Sequence, residues 1–382
     1  EQIKERCRDQ RGWVWLELVW KELRFIVRSL RRAPGFTAAV VATLALCIGA
    51  NTTVLSVLYG LILKPLPFRD AGQLVEIYNS QPNAGQPKMM TSVAQYLDFK
   101  ANADLFEDFA LWRAWSFNIG EESDPERGIG TRATADIFAM LGIQPLLGRF
   151  YTMEECAPGR DHVLVLTQSF WEKNYAADPT VIGRTIRLSS EPFRIIGVAP
   201  RSLEAFNVDL VMLKPFEWLP QLSAPQARGV FNATMYARVK SGLGLQSALA
   251  QLATLEKHFR DDVAPPGLRD FYDRNGQQVA LGRVRAEQTK TVKTSLLLLQ
   301  GGALFVLLLG CVNVASLMLA RANARQAELA VRQALGASRG ALARQMFAEG
   351  MILAMSGAVL GLTLTWASLR VINRYTIAMV RE

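Results

Sequence analysis

The sequence has little of what most catalytic and metal sites are built from. It holds only two histidines, His162 and His258, and four scattered cysteines. A zinc site of clustered histidine and cysteine is not expected, and Cys156 has no second cysteine in the central region for a disulfide. G-x-x-x-x-G-K-[ST], G-x-S-x-G and H-E-x-x-H are also missing. We therefore expect no enzyme, no cofactor, no bound metal and no ATP-binding loop in this chain.

Charge is missing from three long stretches. Ala33–Leu63, Thr294–Ala320 and Gly350–Leu369 contain no Asp, Glu, Lys or Arg over 31, 27 and 20 residues. Because about 20 apolar residues span the hydrocarbon layer of a bilayer, each stretch predicts a transmembrane helix. The first is too long for a cleavable signal peptide, and the LKPLPF that ends it is a poor cleavage site.

The net charge of +9 is not spread evenly. Residues 64–293 hold 26 basic and 26 acidic side chains, whereas residues 1–32 and 321–344 each carry a net charge of +4. Positive charge that flanks membrane helices marks the cytoplasmic side and does not indicate a nucleic-acid partner. The chain is thus predicted to be a multi-pass protein of the bacterial inner membrane, with a cytoplasmic N-terminus and residues 64–293 in the periplasm. Three arginines in the C-terminal tail weakly oppose the periplasmic placement of that tail.

Residues 1–32 show helical periodicity. Apolar side chains recur at three- and four-residue spacing, with basic side chains on the opposite side. The apolar set is Trp13, Leu16, Trp20, Leu23, Val27 and Leu30. Such a helix is typical of the membrane interface, and a helix packed on protein is the alternative.

Polar and small residues inside the apolar runs predict helix packing. Asn51 and Asn313 are amides at membrane depth, which usually face protein, and they could contact each other or simply their packing neighbours. Gly357 and Gly361 form a G-x-x-x-G within a stripe of small residues, a motif that lets helices approach closely.

The region between the first two runs alternates strand and helix patterns, which predicts a mixed α+β domain. Strands are predicted at 75–78, 109–119, 162–166, 185–188, 193–200, 208–213 and 234–239, and helices at 92–103, 134–141, 167–176 and 245–261. LSSEPF is predicted to join two strands as a hairpin. Residues 79–88 and 261–276 are predicted to be flexible loops.

The segment 321–344 lies between the second and third runs. Glu328 and Arg332 form an i,i+4 pair on a predicted helix, Gly336 suits its end, and Ser338 suits the start of the next helix. Two interpretations stay open. The segment could only shield the turn at the membrane interface, or it could be a docking element for a cytoplasmic partner.

This segment resembles a known family. ELAVRQALGASRGALARQMFAEG is similar to the cytoplasmic segment of FtsX-like permeases, the membrane subunits of MacB-type ABC systems. The matching positions are Glu328, Arg332, Ala334, Leu335, Gly336, Ala337 and Glu349. ADIFAMLGIQPLLGRFYTMEE resembles the MacB-like periplasmic core domain. LRRAPGFTAAVVATLALCIGANTTVLSVLYGLILKPLPF is closer to the acidobacterial duplicated permeases, the ADOP branch.

The resemblance implies an α-helical membrane protein with a large α+β extracytoplasmic domain between transmembrane helices 1 and 2. The expected organisation is an amphipathic helix at 1–32, membrane helices at 33–63, 294–320 and 345–369, the periplasmic core domain at 64–293, a coupling helix and turn at 321–344, and a tail at 370–382. Family members carry four membrane helices per unit, so this chain is expected to be the N-terminal part of a longer permease.

The resemblance also implies the mechanism and the partners. A separate cytoplasmic ABC ATPase would drive motion that the permease transmits to its periplasmic domain, for efflux or other mechanotransmission. The permease would pair with a second half or a second copy and could meet a periplasmic protein. The expected ATPase contact is formed by Glu328, Val331, Arg332, Leu335, Gly336 and Arg339. The alternative is a membrane-anchored regulatory module that recruits periplasmic proteins without transport.

Overall fold

The computed structural model describes residues 20, 23–24, 26–119, 126–206, 210–334 and 339–379. The chain divides into two compact units. The sheet unit comprises Lys64–Thr291, with the described residues 377–379 assigned to it as well, and the helical unit comprises the described residues up to Leu63 together with Val292–Thr376.

Residues 26–31 are helical, as predicted for the end of the N-terminal segment, and nine further α-helices follow in the described residues. They are α1 (Pro34–Leu58), α2 (Val93–Asn102), α3 (Asp136–Leu141), α4 (Gln168–Tyr175), α5 (Leu245–His258), α6 (Pro266–Asn275), α7 (Val284–Ala324), α8 (Gln326–Ala334) and α9 (Arg339–Met379). A π-helical turn, Tyr59–Leu63, continues α1.

Three of these helices are long and apolar enough to cross a membrane. The candidate spans are Pro34–Leu63, Val284–Ala324 and Ala343–Val371. They cover the three uncharged runs of the sequence, except for Ala33 at the start of the first run. The second helix begins at Val284, nearly three turns before its predicted start at residue 294. It is 41 residues long and therefore measures about 60 Å. The last helix continues through the predicted tail as far as Met379.

The sheet unit is built on eleven strands, again among the described residues. They are β1 (Leu74–Gln81), β2 (Gln86–Met89), β3 (Phe106–Ile119), β4 (Glu126–Ala133), β5 (Leu147–Gly148), β6 (Val163–Thr167), β7 (Thr185–Leu188), β8 (Glu191–Ala199), β9 (Met212–Pro215), β10 (Thr234–Val239) and β11 (Gln278–Arg283). The main order is β11-β1-β10-β3-β4-β9-β6-β8-β5, and β2 extends from β1 while β7 pairs with β3 and β8. The pairs β4–β9 and β6–β8 are parallel, and the other pairs are antiparallel.

The helices of the sheet unit pack on this sheet because their apolar sides are buried with the strands. Ile137 and Leu141 of α3 join Val165 and Leu213 in one core, while Tyr96 of α2 and Leu252 of α5 join a second core. A third core forms around Phe117 and Phe193. The predicted mixed α+β fold is confirmed.

The prediction of flexible loops at residues 79–88 and 261–276 was wrong in part. Residues 79–88 include the end of β1 and the start of β2, which pair antiparallel. Residues 261–276 include all of α6, which begins at Pro266. Proline is favoured in the first turn of a helix, where its missing N–H is not needed, so the proline cluster at 265–266 starts a helix here.

The predicted LSSEPF hairpin connects β7 to β8. Ser189 and Ser190 both have positive φ angles, 50° and 72°, as a two-residue hairpin turn of this handedness requires. Strand β4 was not predicted because ERGIGTRA lacks alternating apolar residues. Its glycines are explained by Phe117, because a Cβ at Gly128 or at Gly130 would overlap the ring of this phenylalanine.

Arg238 on β10 is a buried cation, with only 2 % of its surface exposed. Its guanidinium donates to the carbonyl oxygen of Met140 at 2.6 and 3.0 Å and to that of Arg69 at 2.6 Å. These bonds hold the end of α3 and the start of the sheet unit against β10.

We expect Arg238→Met to lower the free energy of unfolding of the sheet unit by about 3 kcal/mol, because buried carbonyl oxygens lose their donor. Thermal unfolding of the detergent-solubilised chain, followed by tryptophan fluorescence, measures this loss. Arg113→Met removes an exposed arginine of the same sheet and is the matched control. An equal effect of both substitutions would contradict the role given to Arg238.

Candidate coupling segment and membrane-helix contacts

The first turns of α7 are fixed in the sheet unit. Val284 is buried in the first core, and the Gln288 side chain donates to the carbonyl oxygen of Phe206 at 2.7 Å. Lys88 on β2 lies between two carboxylates, 2.8 Å from Glu76 and 3.3 Å from Glu287 of α7. The 41-residue helix α7 therefore starts within the sheet unit and continues into a membrane-spanning stretch.

The other end of α7 is followed almost directly by α8. Only Arg325 separates the two helices, and its N–H donates to the carbonyl oxygen of Ala322 at 3.2 Å. The backbone of Glu328 and Arg332 is helical in α8, as the i,i+4 spacing requires, and Val331 is 59 % exposed. Arg339 is the first residue of α9. Leu335 and Gly336 lie outside the described residues.

A cluster of charges ties these helix ends together. Arg325 Nη1 lies 3.3 Å from Glu349 Oε1 on α9, and Arg321 Nη2 lies 4.0 Å from Glu349 Oε2. Both arginines also donate to Ser29, at 3.1 to 3.3 Å. Glu349 itself is buried. This clamp of Arg321, Arg325, Glu349 and Ser29 fixes the end of α7 to the start of α9 on either side of α8.

The small residues predicted to pack helices lie at contacts with α1. An ideal Cβ on Gly361 would stand 3.0 Å from the carbonyl oxygen of Ala45 and 3.2 Å from the nitrogen of Gly49. At Gly357 it would stand 2.6 Å from Leu44 Cβ. Thr365 donates to the carbonyl oxygen of Gly49 at 3.1 Å. The α1 and α9 backbones are therefore in close contact, as small-residue interfaces permit.

The two asparagines predicted at membrane depth do not contact each other. Asn51 on α1 accepts a hydrogen bond from Gln300 on α7 at 2.8 Å, whereas Asn313 is exposed on α7. Gln300 lies in the same uncharged run as Asn313, and the sequence did not indicate which of the two would contact Asn51.

In the segment that precedes α1, some of the predicted apolar side chains pack on protein and others are exposed. Ile26 and Leu30 are buried with Val40 and Leu353, whereas Trp20, Leu23 and Val27 are exposed. The predicted apolar positions Trp13 and Leu16 lie outside the described residues.

A titratable cluster in the sheet unit bears on the question of catalysis. Glu256 accepts a hydrogen bond from Gln95 at 2.9 Å and lines a cavity of about 10 Å³ with Arg228 and Tyr272. This volume holds at most one water molecule, so the cavity leaves no room for a substrate. Among the described residues, no group of three or more His, Cys, Asp or Glu is placed to hold a metal ion.

Burial raises the pKa of Glu256 above its ordinary value, although Gln95 and the nearby arginines partly offset the shift. Because the folded-state pKa is raised, the stability that this group contributes is complete below its unfolded-state pKa. It is lost as the pH rises through the folded-state pKa. We expect Glu256→Gln to raise the unfolding temperature at pH 7.5 and to leave it unchanged near pH 4. Thermal melts across this range test the sign, with exposed Glu154→Gln as the control.

The arrangement defines a class of membrane protein in which a mixed α+β domain lies between the first and second of three apolar helices. A family model for the MacB-like periplasmic core domain matches residues 37–255, and a model for the FtsX-like permease C-terminal region matches residues 301–381. The chain therefore belongs to the family of FtsX-like permeases with a MacB-like periplasmic core domain, which confirms the resemblance to these two domains. The finer resemblance to the ADOP branch stays a prediction.

Relatives of known description agree with this family. The macrolide export ATP-binding/permease protein MacB of Neisseria gonorrhoeae is 27 % identical over 241 residues, which are 62 % of this chain and 35 % of that protein. MacB of Escherichia coli K12 is 27 % identical over 236 residues, 61 % of this chain and 34 % of that protein. The chain thus spans about a third of the length of these relatives.

Solved structures of similar proteins include the periplasmic region of MacB from Actinobacillus actinomycetemcomitans. It is 13 % identical, with a TM-score of 0.40, and the match covers 62 % of this chain and 97 % of that chain. A domain of a permease protein from Porphyromonas gingivalis is 16 % identical, with a TM-score of 0.44, and the match covers 56 % of this chain and 92 % of that chain.

Proposed function

We propose that the chain is the permease part of a MacB/FtsX-type ABC system, in which a separate cytoplasmic ATPase docks on α8 and its motion reaches the sheet unit through α7. The observation that carries the proposal is the direct junction of α8 with α7 at Arg325, clamped to α9 through Glu349. A displacement of α8 would act on two membrane helices at once.

The proposed orientation follows the charge distribution. The two segments with a net charge of +4 face the cytoplasm, the sheet unit lies in the periplasm, and the protein resides in the bacterial inner membrane. The relatives named for macrolide export support efflux or a related mechanical task, with a second permease half or a second copy completing the assembly. In this proposal the chain itself carries out no catalysis and binds no cofactor.

The proposed ATPase contact consists of Glu328, Val331, Arg332, Leu335, Gly336 and Arg339. A helix that offers both charge and an exposed apolar side chain gives a partner electrostatic steering and apolar burial. Val331 supplies the exposed apolar surface.

The test is purification of the full-length protein from native membranes, with the co-purified ATPase and its ATP turnover measured. We expect Arg332→Glu, alone or with Gly336→Pro, to reduce the bound ATPase by about tenfold or more, as loss of a central interface residue does. Arg370→Glu, at the far end of α9, reverses the same charge and should leave binding unchanged. Capture of periplasmic proteins without any ATPase would favour the anchored regulatory module instead.

A further inference from the structure

An apolar groove lies in the helical unit between the end of α7 and the start of α9, with a volume of about 750 Å³. Its walls are mostly apolar and include Met318 and Ala322 of α7 and Met346, Phe347, Met351 and Ala354 of α9. Phe347 is 75 % exposed. These residues lie at the ends of two candidate membrane spans, so the groove is at the depth where lipid headgroups meet acyl chains.

The polar residues that line this groove carry excess positive charge. Among the side chains that the structure describes, Arg321 and Arg325 both lie beside the carboxylate of Glu349, and these three side chains together carry one net positive charge. Arg321 Nη2 donates to Ser29, but the buried Nη1 of the same guanidinium has no hydrogen-bond partner among the residues that the structure describes. Leaving a buried charged donor unsatisfied is costly, so a ligand that brings a hydrogen-bond acceptor to Arg321 would stabilise the site.

We propose that this groove binds one anionic phospholipid. Its phosphate accepts hydrogen bonds from Arg321 and Arg325, and one acyl chain lies along the apolar walls. The guanidinium fork suits a phosphate, and basic pockets between membrane helices are suited to anionic headgroups. The apolar walls explain why a phospholipid is the ligand and free phosphate is not, because the latter would leave them empty. In the orientation proposed above, the lipid belongs to the cytoplasmic leaflet.

Lipid binding to the purified, delipidated full-length protein tests the proposal by native mass spectrometry. We expect phosphatidylglycerol to bind more tightly than phosphatidylcholine of the same acyl chains. Arg321→Gln and Arg325→Gln should each weaken phosphatidylglycerol binding by about fivefold, the contribution of one arginine near an anionic surface. Arg31→Gln, an exposed arginine of the same unit that does not line the groove, is the matched control and should have no effect.

A further variant tests the apolar walls of the groove separately from its charged side chains. Ala354→Phe fills the apolar walls without changing Arg321, Arg325 or Glu349, and we expect it to weaken phosphatidylglycerol binding as well. Equal binding of the two lipids, unchanged binding in all three variants, or displacement of the lipid by millimolar inorganic phosphate would each overturn the proposal.

A photoreactive benzoylphenylalanine at position 347 tests the occupant in native membranes. We expect ultraviolet irradiation to yield a phospholipid adduct on this residue, detected by mass spectrometry of the digested protein. Cross-links only to protein, whether to another part of the full-length chain, a second copy or the ATPase, would overturn the proposal. The lipid and ATPase experiments have separate readouts, so the failure of one leaves the other standing.

Discussion

Replacing Gly361 with isoleucine is expected to separate α9 from α1 and to lower the stability of the helical unit by about 3 kcal/mol. The reason is that a side chain at position 361 would collide with backbone atoms of α1. A Cβ at position 361 already stands 3.0 Å from the carbonyl oxygen of Ala45 and 3.2 Å from the nitrogen of Gly49. Neither atom can rotate away, so a branched side chain forces the two helices apart. The Thr365 hydrogen bond to Gly49 is then also lost.

Unfolding of the purified full-length protein in mixed micelles, followed by circular dichroism, measures this loss. Gly301→Ile makes the same substitution on α7 at a glycine whose Cβ would meet no atom within 4 Å, and we expect it to be nearly neutral. Gly361→Ala should fall between the two variants. If Gly361→Ile and Gly301→Ile behaved alike, the close contact between α1 and α9 would not be important for stability.

The second large effect concerns transmission along α7. If α7 transmits motion as proposed, Val292→Pro is expected to abolish the proposed response of the sheet unit to ATP and to leave the proposed docking of an ATPase on α8 intact. Proline removes a backbone hydrogen bond and clashes with the preceding turn, which kinks or breaks a helix at a cost of about 3 kcal/mol. Val292 is partly exposed and stands where α7 passes from the sheet unit to the helical unit.

Hydrogen exchange of the sheet unit, with and without a non-hydrolysable ATP analogue, reports this response in the complex. Val292→Ala keeps the helix and should transmit as the original sequence does. An ATP-dependent change that persists in Val292→Pro would mean that α7 is not the transmitting element. Loss of bound ATPase in the same variant would point instead to misfolding.

The sequence predicted well those features that depend on local pattern. The uncharged runs identified three apolar helices, and the alternating segments identified most strands, because burial imposes a period that the sequence must follow. An uncharged run shows which part of a helix can lie in the membrane, but it does not show where that helix begins. The start of α7 at Val284 was missed because Arg285, Glu287 and Lys290 occupy a helix outside the apolar stretch.

Contacts between distant residues could not be predicted in this way. Glu349 stood out in the resemblance to the FtsX-like family, but its approach to Arg321 and Arg325 depends on how α7 and α9 are aligned with each other. The choice of Gln300 as the partner of Asn51 similarly depends on the relative rotation of two helices. Periodicity gives the face of one helix but not the alignment of one helix against another.

Because β1 and β11 are antiparallel neighbours, with Val75 opposite Arg283 and Ser80 opposite Gln278, the chain enters and leaves the sheet unit at the same end of the sheet. The unit is thus a closed insertion with adjacent ends, and its removal would leave only a short gap to bridge. Insertions of this kind are well tolerated. Periplasmic modules of different size or specificity could therefore be exchanged between α1 and α7 during evolution while the helices that carry them are retained.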